Sequence, residues 1–289
     1  MTEHPDPGSA IAFQGEPGAY SHLACRHAYP GMAPLPSRTF EDAFTAVREG
    51  RARYAMIPIE NSLAGRVADV HHLIPYAGLH IIAEHYERIS HHLLAIPGAR
   101  IEQIRSVKSH VHALGQCRGL VRELGLEAIV GADTAGAAAE VAARQDPSFA
   151  AIASELAAEI HGLVSLRAGI EDAEHNTTRF VVLAREALEP NPNLPCMTTF
   201  VFRVRNVAAA LYKAMGGFAT NGINMTRLES YMVGGGFVAT QFYADVEGHP
   251  ASHGVRQALE ELDFFSHEVR ILGVYPQHPF RLHQRLQTE

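Results

Sequence analysis

Short apolar runs alternate with amphipathic helical patterns through most of the chain before residue 190. Residues 11–14 form the first apolar run and predict a buried strand. Residues 39–50 have the clearest helical pattern, because Thr39 can cap the N-terminus, apolar side chains recur at three- and four-residue spacings, and Gly50 stands where a helix ends. This alternation predicts an α/β fold with largely parallel strands.

The same reasoning predicts further elements before residue 190. Strands are predicted at residues 54–59, 79–84, 92–96, 106–109, 129–131 and 179–183, and helices at residues 112–124, 134–144 and 154–162. The strand at residues 54–59 runs directly into the polar residues Glu60, Asn61 and Ser62. Ligands of open α/β sheets bind at the C-terminal ends of strands, so these three residues are candidates by position.

A proline-rich segment divides the sequence. Pro190, Pro192 and Pro195 fall within six residues and block both helix formation and strand pairing, which predicts a linker. The segments after it predict strand, helix, strand, strand, helix and strand at residues 199–204, 207–220, 224–231, 237–245, 252–262 and 269–274, with a glycine turn at residues 234–236. This βαββαβ order is typical of a ferredoxin-like domain.

The composition is that of an ordinary globular protein. The 289 residues, 47% hydrophobic and 19% charged, suffice for about two domains of roughly 150 residues each. The net charge of −7, from 24 basic and 31 acidic residues, disfavours nucleic acid or an anionic membrane as a partner. The sequence has no apolar stretch of membrane-spanning length and no secretion signal, so we expect a cytoplasmic protein.

The cysteines and histidines do not indicate a metal site. Cys25, Cys117 and Cys196 are widely spaced and include no CxxC pair, which favours free thiols in a reducing compartment. His110 and His112 can share one face of a strand, but no HExxH motif or acidic frame accompanies them. We therefore expect no metal, and the absence of a GxSxG elbow gives no support to covalent catalysis.

Several polar positions have two interpretations. Ser21 lies in a glycine-containing turn that either binds an anion or merely caps a helix; the turn lacks the GxGxxG spacing and the P-loop lysine of nucleotide sites. Glu60 can act as an acid or orient its neighbours, and Asn61 and Ser62 can donate hydrogen bonds. Ser62 and, after a later strand, Thr134 can equally be helix caps.

Residues 176–180 read Asn-Thr-Thr-Arg-Phe and gather one amide, two hydroxyls and one permanent cation at the start of a strand. Arg179 can bind a carboxylate through two parallel hydrogen bonds. The alternative is a structural salt bridge from Arg179 to Glu60 or another carboxylate. Phe180 opens an apolar strand and is interpreted as a core residue.

Taken together, these segments resemble the prephenate dehydratases of bacterial type that carry a C-terminal ACT regulatory domain. The resemblance covers residues 9–276 and rests on the order and spacing of segments 13–22, 58–67, 109–117, 133–135, 150–158, 176–180, 209–211 and 222–230. It implies an α/β fold with a two-lobed periplasmic-binding-protein-like (type II) catalytic domain at residues 9–186. A ferredoxin-like ACT domain is then expected at residues 197–276.

The resemblance implies decarboxylative dehydration of prephenate to phenylpyruvate on the route to phenylalanine, without a cofactor. Thr178 would donate to or orient the leaving hydroxyl, Arg179 would bind a carboxylate of the dianionic substrate, and Glu60 would orient its neighbours or take part in proton transfer. The further substrate-binding residues that it implies are Asn61, Ser62, Thr134, Asn176, Thr177 and Ser21.

The resemblance also implies that L-phenylalanine binds between paired ACT domains of a homodimer or homotetramer and feeds back on the cleft. The implied effector-binding residues are Ala209, Ala210, Leu211, Asn224, Glu229 and Ser230. The sequence departs from the family here, because Ala209 stands where glycine is usual and Tyr231-Met232 where arginine and proline are usual. A methyl group therefore stands where the family's backbone passes close to the amino acid.

Two other functions stay open at this point. Prephenate and arogenate differ only in the side chain, so an arogenate or cyclohexadienyl dehydratase fits the same residues. A non-catalytic amino-acid-sensing binding protein is the other alternative, since both folds can bind ligands without chemistry. The presence of Thr178, Arg179 and the Glu60-Asn61-Ser62 run speaks against a pure sensor.

Overall fold

The computed structural model describes residues 7–232 and 239–288. The strands are β1 Ala10–Gln14, β2 Ala33–Ser37, β3 Tyr54–Asn61, β4 Gly65–Arg66, β5 His80–Arg88, β6 His92–Ala95, β7 Ser106–His110, β8 Glu127–Gly131, β9 Phe149–Ala153, β10 Val164–Ala168, β11 Thr177–Ala184, β12 Cys196–Val204, β13 Met225–Met232, β14 Ala239–Glu247 and β15 Ser266–Pro276. The α-helices are α1 Tyr20–Ala28, α2 Phe40–Arg48, α3 Ala68–Leu73, α4 Val111–Gln116, α5 Arg118–Glu123, α6 Thr134–Arg144, α7 Glu155–His161, α8 Ala210–Thr220, α9 His253–Phe265 and α10 Pro279–Thr288.

The first lobe is built on a sheet of order β2-β1-β3-β11-β5, with the short β4 paired antiparallel to β3. Strand β1 is parallel to both of its neighbours, β2 and β3. Ile11, Phe13 and Ile57 are fully buried because helices α1 and α2 pack on these strands. The predicted strand at residues 11–14 is thereby confirmed.

The second lobe is built on a separate sheet of order β10-β6-β9-β7-β8. Strand β7 is parallel to β8 and β9, whereas β6 is antiparallel to β9 and β10. Its core gathers Leu93, Val107, Val141, Phe149 and Ile152. Two α/β sheets within residues 9–186 match the predicted two-lobed fold.

The C-terminal sheet has the order β13-β14-β12-β15, and all of its pairings are antiparallel. Along the chain the elements run β12, α8, β13, β14, α9, β15, which is the predicted βαββαβ ferredoxin-like order. Phe200, Phe202, Phe218, Phe242 and Leu262 form the core between the sheet and its two helices. The predicted glycine turn at residues 234–236 lies outside the described residues.

Local capping explains why several helices were predictable. Thr39 and Asp42 form a reciprocal capping box at the start of α2, and Gly50 after its end has a φ of +79°. Helix α7 begins after the cap Ser154 and ends at the left-handed Gly162. The residues that begin and end these helices lie next to them in the sequence. The predicted helices at residues 39–50 and 154–162 are confirmed.

Two predicted helices need correction. The helix expected at residues 112–124 is two short helices, α4 and α5, because Cys117 is non-helical and the Asp172 carboxylate accepts the N–H groups of Arg118 and Gly119. The helix expected from residue 207 begins at Ala210, since Ala209 adopts a left-handed conformation. Both breaks depend on conformations that periodicity does not reveal.

Strand β2 escaped the sequence analysis because it contains Pro34 and Pro36. It is an edge strand that pairs with β1, and at an edge a missing N–H need not disrupt the sheet.

Contacts divide the chain into two compact units, Met1–Val70 with His85–Phe180, and His71–Glu84 with Val181–Glu289. Residues 71–84 thus group with the C-terminal sheet, and the domain division at residues 9–186 and 197–276 stays a prediction. None of the helices in the described ranges is long and apolar enough to cross a membrane.

Candidate active site

The end of β3 and the start of β11 lie side by side and bring the two predicted polar segments together. The N–H of Ser62 donates to the carbonyl of Thr177 at 2.9 Å. The Ser62 hydroxyl donates to the carbonyl of His175 at 2.8 Å and accepts from the N–H of Thr177 at 3.0 Å. Ser62 therefore holds the turn against β11, which is the structural role that its hydroxyl performs here.

Asn61 is the centre of this polar cluster. Its amide nitrogen donates to Thr178 Oγ1 at 3.0 Å and to Asn176 Oδ1 at 2.8 Å. Its amide oxygen accepts the N–H groups of Leu63 and Ala64 at 3.0 and 2.8 Å, which fixes the orientation of the amide. Because Asn61 donates to the Thr178 oxygen, the Thr178 hydroxyl keeps its own hydrogen for a further acceptor.

A hydrogen-bonded chain continues from Asn176 into the second lobe. Asn176 is fully buried, and its amide nitrogen donates to Gln116 Oε1 at 2.9 Å. The same oxygen lies 2.9 Å from His91 Nε2, so that nitrogen carries a hydrogen. His91 Nδ1 and the Ser90 carbonyl oxygen both lie 2.8 Å from the hydroxyl oxygen of Tyr20, so the single hydroxyl hydrogen of Tyr20 serves these two acceptors. Sequence reasoning gave no role to Gln116, His91 or Tyr20, since no local pattern joins positions so far apart.

Burial shifts the pKa values of His91 and Tyr20, the two titratable residues of this hydrogen-bonded series. Desolvation lowers the pKa of His91 below its usual value, while the Gln116 hydrogen bond and the Glu171 carboxylate act in the opposite direction. Desolvation also raises the pKa of Tyr20 well above its usual value. Near neutral pH the side chains of this hydrogen-bonded series, His91 and Tyr20 included, are therefore uncharged and orient one another.

Arg179 and Glu60 form an ion pair beside this cluster. Arg179 Nη1 lies 3.0 Å from Glu60 Oε1, the arginine side chain is 3% exposed and the glutamate side chain is 37% exposed. This geometry matches the structural alternative considered for Arg179. The guanidinium is enclosed and the carboxylate reaches the surface, so the pair presents its acidic member outward.

Thr134 and Ser21 lie in the first turns of two helices, α6 and α1. The cap of α6 is Asp133, whose carboxylate accepts the N–H of Gly136 at 2.7 Å, and Thr134 follows as the first helical residue. Ser21 is buried in α1. Just before it, the carbonyl of Gly18 accepts from the Ser154 hydroxyl at 2.6 Å, so the glycine turn contacts the second lobe.

A cleft of about 480 Å³ opens beside the cluster. The first lobe contributes Leu63 and Ala64, and the second contributes His112, Gln116 and Arg118. Gln116 belongs both to the cleft wall and to the hydrogen-bonded chain. The volume falls within the range of roughly 300–1,000 Å³ that is typical of small-molecule sites.

The predicted effector-binding residues lie on helix α8 and strand β13 of the C-terminal βαββαβ region, or directly before them. Ala209 has a φ of +61° just before α8, and Ala210 and Leu211 form the first turn of that helix. Glu229 and Ser230 lie on β13, and the Glu229 carboxylate is 3.8 Å from the Arg227 guanidinium. Asn224 precedes the strand, and its carbonyl accepts the N–H of Glu247.

Two α/β lobes with a cleft between them define a ligand-binding fold of the periplasmic-binding-protein type. The chain belongs to the prephenate dehydratase family, whose model matches residues 11–188.

Individual proteins extend this comparison. The bifunctional N-acyl-homoserine lactone acylase/prephenate dehydratase of Komagataeibacter europaeus is 55% identical over 94% of this chain and 97% of its own length. Arogenate dehydratase/prephenate dehydratase 2 of Arabidopsis thaliana is 38% identical over 96% of this chain and 75% of its own length. The solved prephenate dehydratase of Arthrobacter aurescens in complex with L-Phe is 28% identical, with a TM-score of 0.86 over 96% of this chain and 98% of that one.

Proposed function

We propose that the chain catalyses the decarboxylative dehydration of prephenate to phenylpyruvate, carbon dioxide and water. The observation that carries this proposal is the hydrogen bond from Asn61 to Thr178 Oγ1, because the same Asn61 amide also accepts the N–H of Ala64 in the cleft wall. It holds a hydroxyl whose hydrogen can point toward a leaving group. Membership of the prephenate dehydratase family supports the reaction class.

The chemistry makes loss of hydroxide the difficult step. The electron pair of the bond to the ring carboxylate moves into the ring as carbon dioxide leaves, and the ring hydroxyl departs on its opposite side. The departing oxygen takes up a proton and leaves as water. Thr178 donates a hydrogen bond to that oxygen, and Glu60, whose carboxylate is partly exposed, is the candidate proton carrier.

The direct test is an assay of purified protein with prephenate and a chelator, followed by detection of phenylpyruvate. Product formation is expected. Intact folded protein that forms no phenylpyruvate would contradict the proposal.

Arogenate is a second candidate substrate, because a plant relative 38% identical over 96% of this chain is named an arogenate dehydratase/prephenate dehydratase. Both substrates carry the same ring, and they differ in a keto or an amino group on the side chain. Competition between them, read as the ratio of the two kcat/KM values, decides which one the cleft prefers.

We further propose that residues 197–276 form an ACT domain that binds L-phenylalanine and mediates a homodimer or homotetramer. The βαββαβ order and the likeness to a structure in complex with L-Phe support this proposal. Ala209, Ala210, Leu211, Asn224, Glu229 and Ser230 are the proposed ligand contacts. Phenylalanine is expected to raise the melting temperature or change the oligomer size, and a calorimetric null at high ligand would contradict it.

N-acyl-homoserine lactone hydrolysis is a second candidate activity, and its support is the name of the relative that is 55% identical. Hydrolysis of an acyl-homoserine lactone, followed by detection of the free lactone amine, tests it on the same preparation. We place either reaction in the cytoplasm, a compartment consistent with three buried free thiols.

A further inference from the structure

Prephenate carries two carboxylates, so its binding site needs at least one cation that can reach it. Arg179 does not meet this need on its own, because its side chain is 3% exposed and lies 3.0 Å from the Glu60 carboxylate. The charge of Arg179 is therefore largely balanced before any substrate arrives. A cation among the residues that line the cleft is therefore the next candidate.

Arg118 is the fixed positive charge among the described residues that line the 480 Å³ cleft. Its side chain is exposed, and its Nη2 would lie 3.8 Å from a Cβ atom placed on Gly115. The guanidinium thus lies over a residue without a side chain, one position before Gln116 of the hydrogen-bonded chain. Arg118 therefore lies on the same wall of the cleft as Gln116, the residue that accepts the hydrogen bond from Asn176.

The backbone at Arg118 is firmly held, which fixes where its side chain begins. Asp172 accepts the N–H of Arg118 at 3.0 Å with one oxygen and the N–H of Gly119 at 2.9 Å with the other. Asp172 also lines the cleft and keeps its negative charge, but its two oxygens accept these backbone amides and form no ion pair with the Arg118 guanidinium. The arginine is therefore the group that is available to an incoming anion.

We infer that Arg118 binds the side-chain carboxylate of prephenate; the inference rests on the proposed dehydratase function. The ring carboxylate is a poor partner, because its negative charge disappears as carbon dioxide leaves. A cation bound there would stabilise the ground state more than the transition state and slow the reaction. The side-chain carboxylate keeps its charge throughout, so Arg118 can hold it without such a penalty.

The same geometry makes Arg118 a determinant of substrate preference. Arogenate carries an ammonium group beside the carboxylate that Arg118 binds, and two like charges at that distance repel each other. Prephenate has an uncharged keto group in that place. Arg118 therefore favours prephenate over arogenate.

The experiment measures kcat and KM for prephenate and arogenate with the wild type and with Arg118→Gln, Arg118→Lys and Arg122→Gln. Arg122 is an exposed arginine on the same helix, α5, and does not line the cleft, so it is the matched control. For Arg118→Gln the KM for prephenate is expected to rise about tenfold to a hundredfold with kcat changed less than about twofold, since a charge-assisted hydrogen bond is lost. The kcat/KM ratio of prephenate to arogenate is expected to fall.

Arg118→Lys keeps the charge and is expected to recover part of the lost affinity, which a purely structural role would not require. This variant also serves if Arg118→Gln does not fold, as judged by circular dichroism. An unchanged KM and an unchanged substrate ratio in folded Arg118→Gln would overturn the inference, as would an equal effect of Arg122→Gln. If only Arg118→Lys folds, its KM for prephenate is expected to rise because lysine lacks the two parallel donors of arginine, and an unchanged KM and substrate ratio in that variant would overturn the inference. A wild type that turns over neither substrate would instead overturn the proposed function itself.

Discussion

Two carboxylate–guanidinium pairs occur in different regions of the molecule and are built in opposite ways. In the unit made of residues 1–70 and 85–180, the Arg179 guanidinium is enclosed, while the Glu60 side chain is 37% exposed. In the C-terminal unit Glu84 is fully enclosed and Arg281, on α10, is 12% exposed. Glu84 accepts from Arg281 at 2.6 and 2.8 Å and from the N–H of His278 at 3.1 Å.

The difference indicates what each pair does. A fully buried carboxylate that accepts from three donors holds the start of α10 against β5, and its charge is inaccessible to a ligand. A carboxylate that reaches the surface beside Asn61 and Thr178 can meet a substrate. We therefore expect changes in the cluster around Glu60 to act on turnover and changes at Glu84 to act on stability.

The largest expected effect is at Thr178, in the active-site cluster. Thr178→Ala should lower kcat by about 10²–10⁴-fold and leave KM within a few-fold, because it removes a group that assists the leaving hydroxyl. Thr178→Ser keeps the hydroxyl and should retain much of the activity. Steady-state kinetics with prephenate measures both, and an unchanged kcat in the alanine variant would remove Thr178 from the mechanism.

The next largest effect tests the buried pair. Glu84→Ala should lower the free energy of unfolding by about 3–5 kcal/mol, because it leaves the Arg281 guanidinium without its carboxylate partner. The control is Glu123→Ala, which breaks an exposed pair with Arg167 and should cost less than about 1 kcal/mol. Urea unfolding measures both, and equal losses would erase the distinction between buried and exposed pairs.

Glu60→Gln tests whether the Glu60–Arg179 pair acts on turnover, on stability or on both. We expect kcat/KM to fall about tenfold to a hundredfold, and the free energy of unfolding to fall by about 1–3 kcal/mol, less than for Glu84→Ala. Kinetics and urea unfolding of the same preparation give both values. A variant that loses stability but keeps full activity would show that the Glu60 pair is structural, like the Glu84 pair.

His91 makes the free energy of unfolding depend on pH. Burial lowers its pKa in the folded state, so the unfolded chain binds a proton more readily as the pH falls below about 6.5. The contribution of His91 to stability is therefore fully present above that pH and is lost as the pH falls toward the folded-state pKa. His91→Gln should lose less stability than the wild type between pH 7 and 5, and identical losses would contradict this.

The smallest effect concerns backbone strain before α8. Ala209 has a φ of +61°, a conformation that costs an alanine about 1–2 kcal/mol and a glycine almost nothing. Ala209→Gly should therefore raise the free energy of unfolding by about 0.5–1 kcal/mol. Ala210→Gly, at a right-handed helical position, should lower it by about the same amount, so two changes of the same sign would refute the strain argument.

Sequence patterns predicted the parts of the fold that depend on nearby residues. Helix α2 was predictable because Thr39, Asp42 and Gly50 encode both of its ends. The break between α4 and α5 was not, since the cap of α5 is Asp172, which lies more than fifty residues away. Residues close in sequence can be recognised as helix ends from the sequence, whereas partners far apart in sequence are brought together only by the fold.

The candidate site divides in the same way. Residues 60–62 and 176–179 were identifiable because polar side chains cluster beside predicted strands. The two segments contact each other, since Asn61 donates to Asn176 and Thr178 and Ser62 accepts from Thr177. Gln116 and His91 join the site through single hydrogen bonds across the fold. The sequence did not decide whether Arg179 pairs with Glu60, because an arginine at that position can bind either a substrate carboxylate or a carboxylate of the protein.

The dehydratase reaction is tested most directly by following prephenate labelled with ¹³C in its ring carboxylate, at neutral pH, by nuclear magnetic resonance. With the wild-type protein we expect one labelled carbon dioxide for each phenylpyruvate formed, and a rate at least about a hundredfold lower with Thr178→Ala. Folded wild-type protein that releases neither product, or a Thr178→Ala variant that releases both at the wild-type rate, would contradict this expectation.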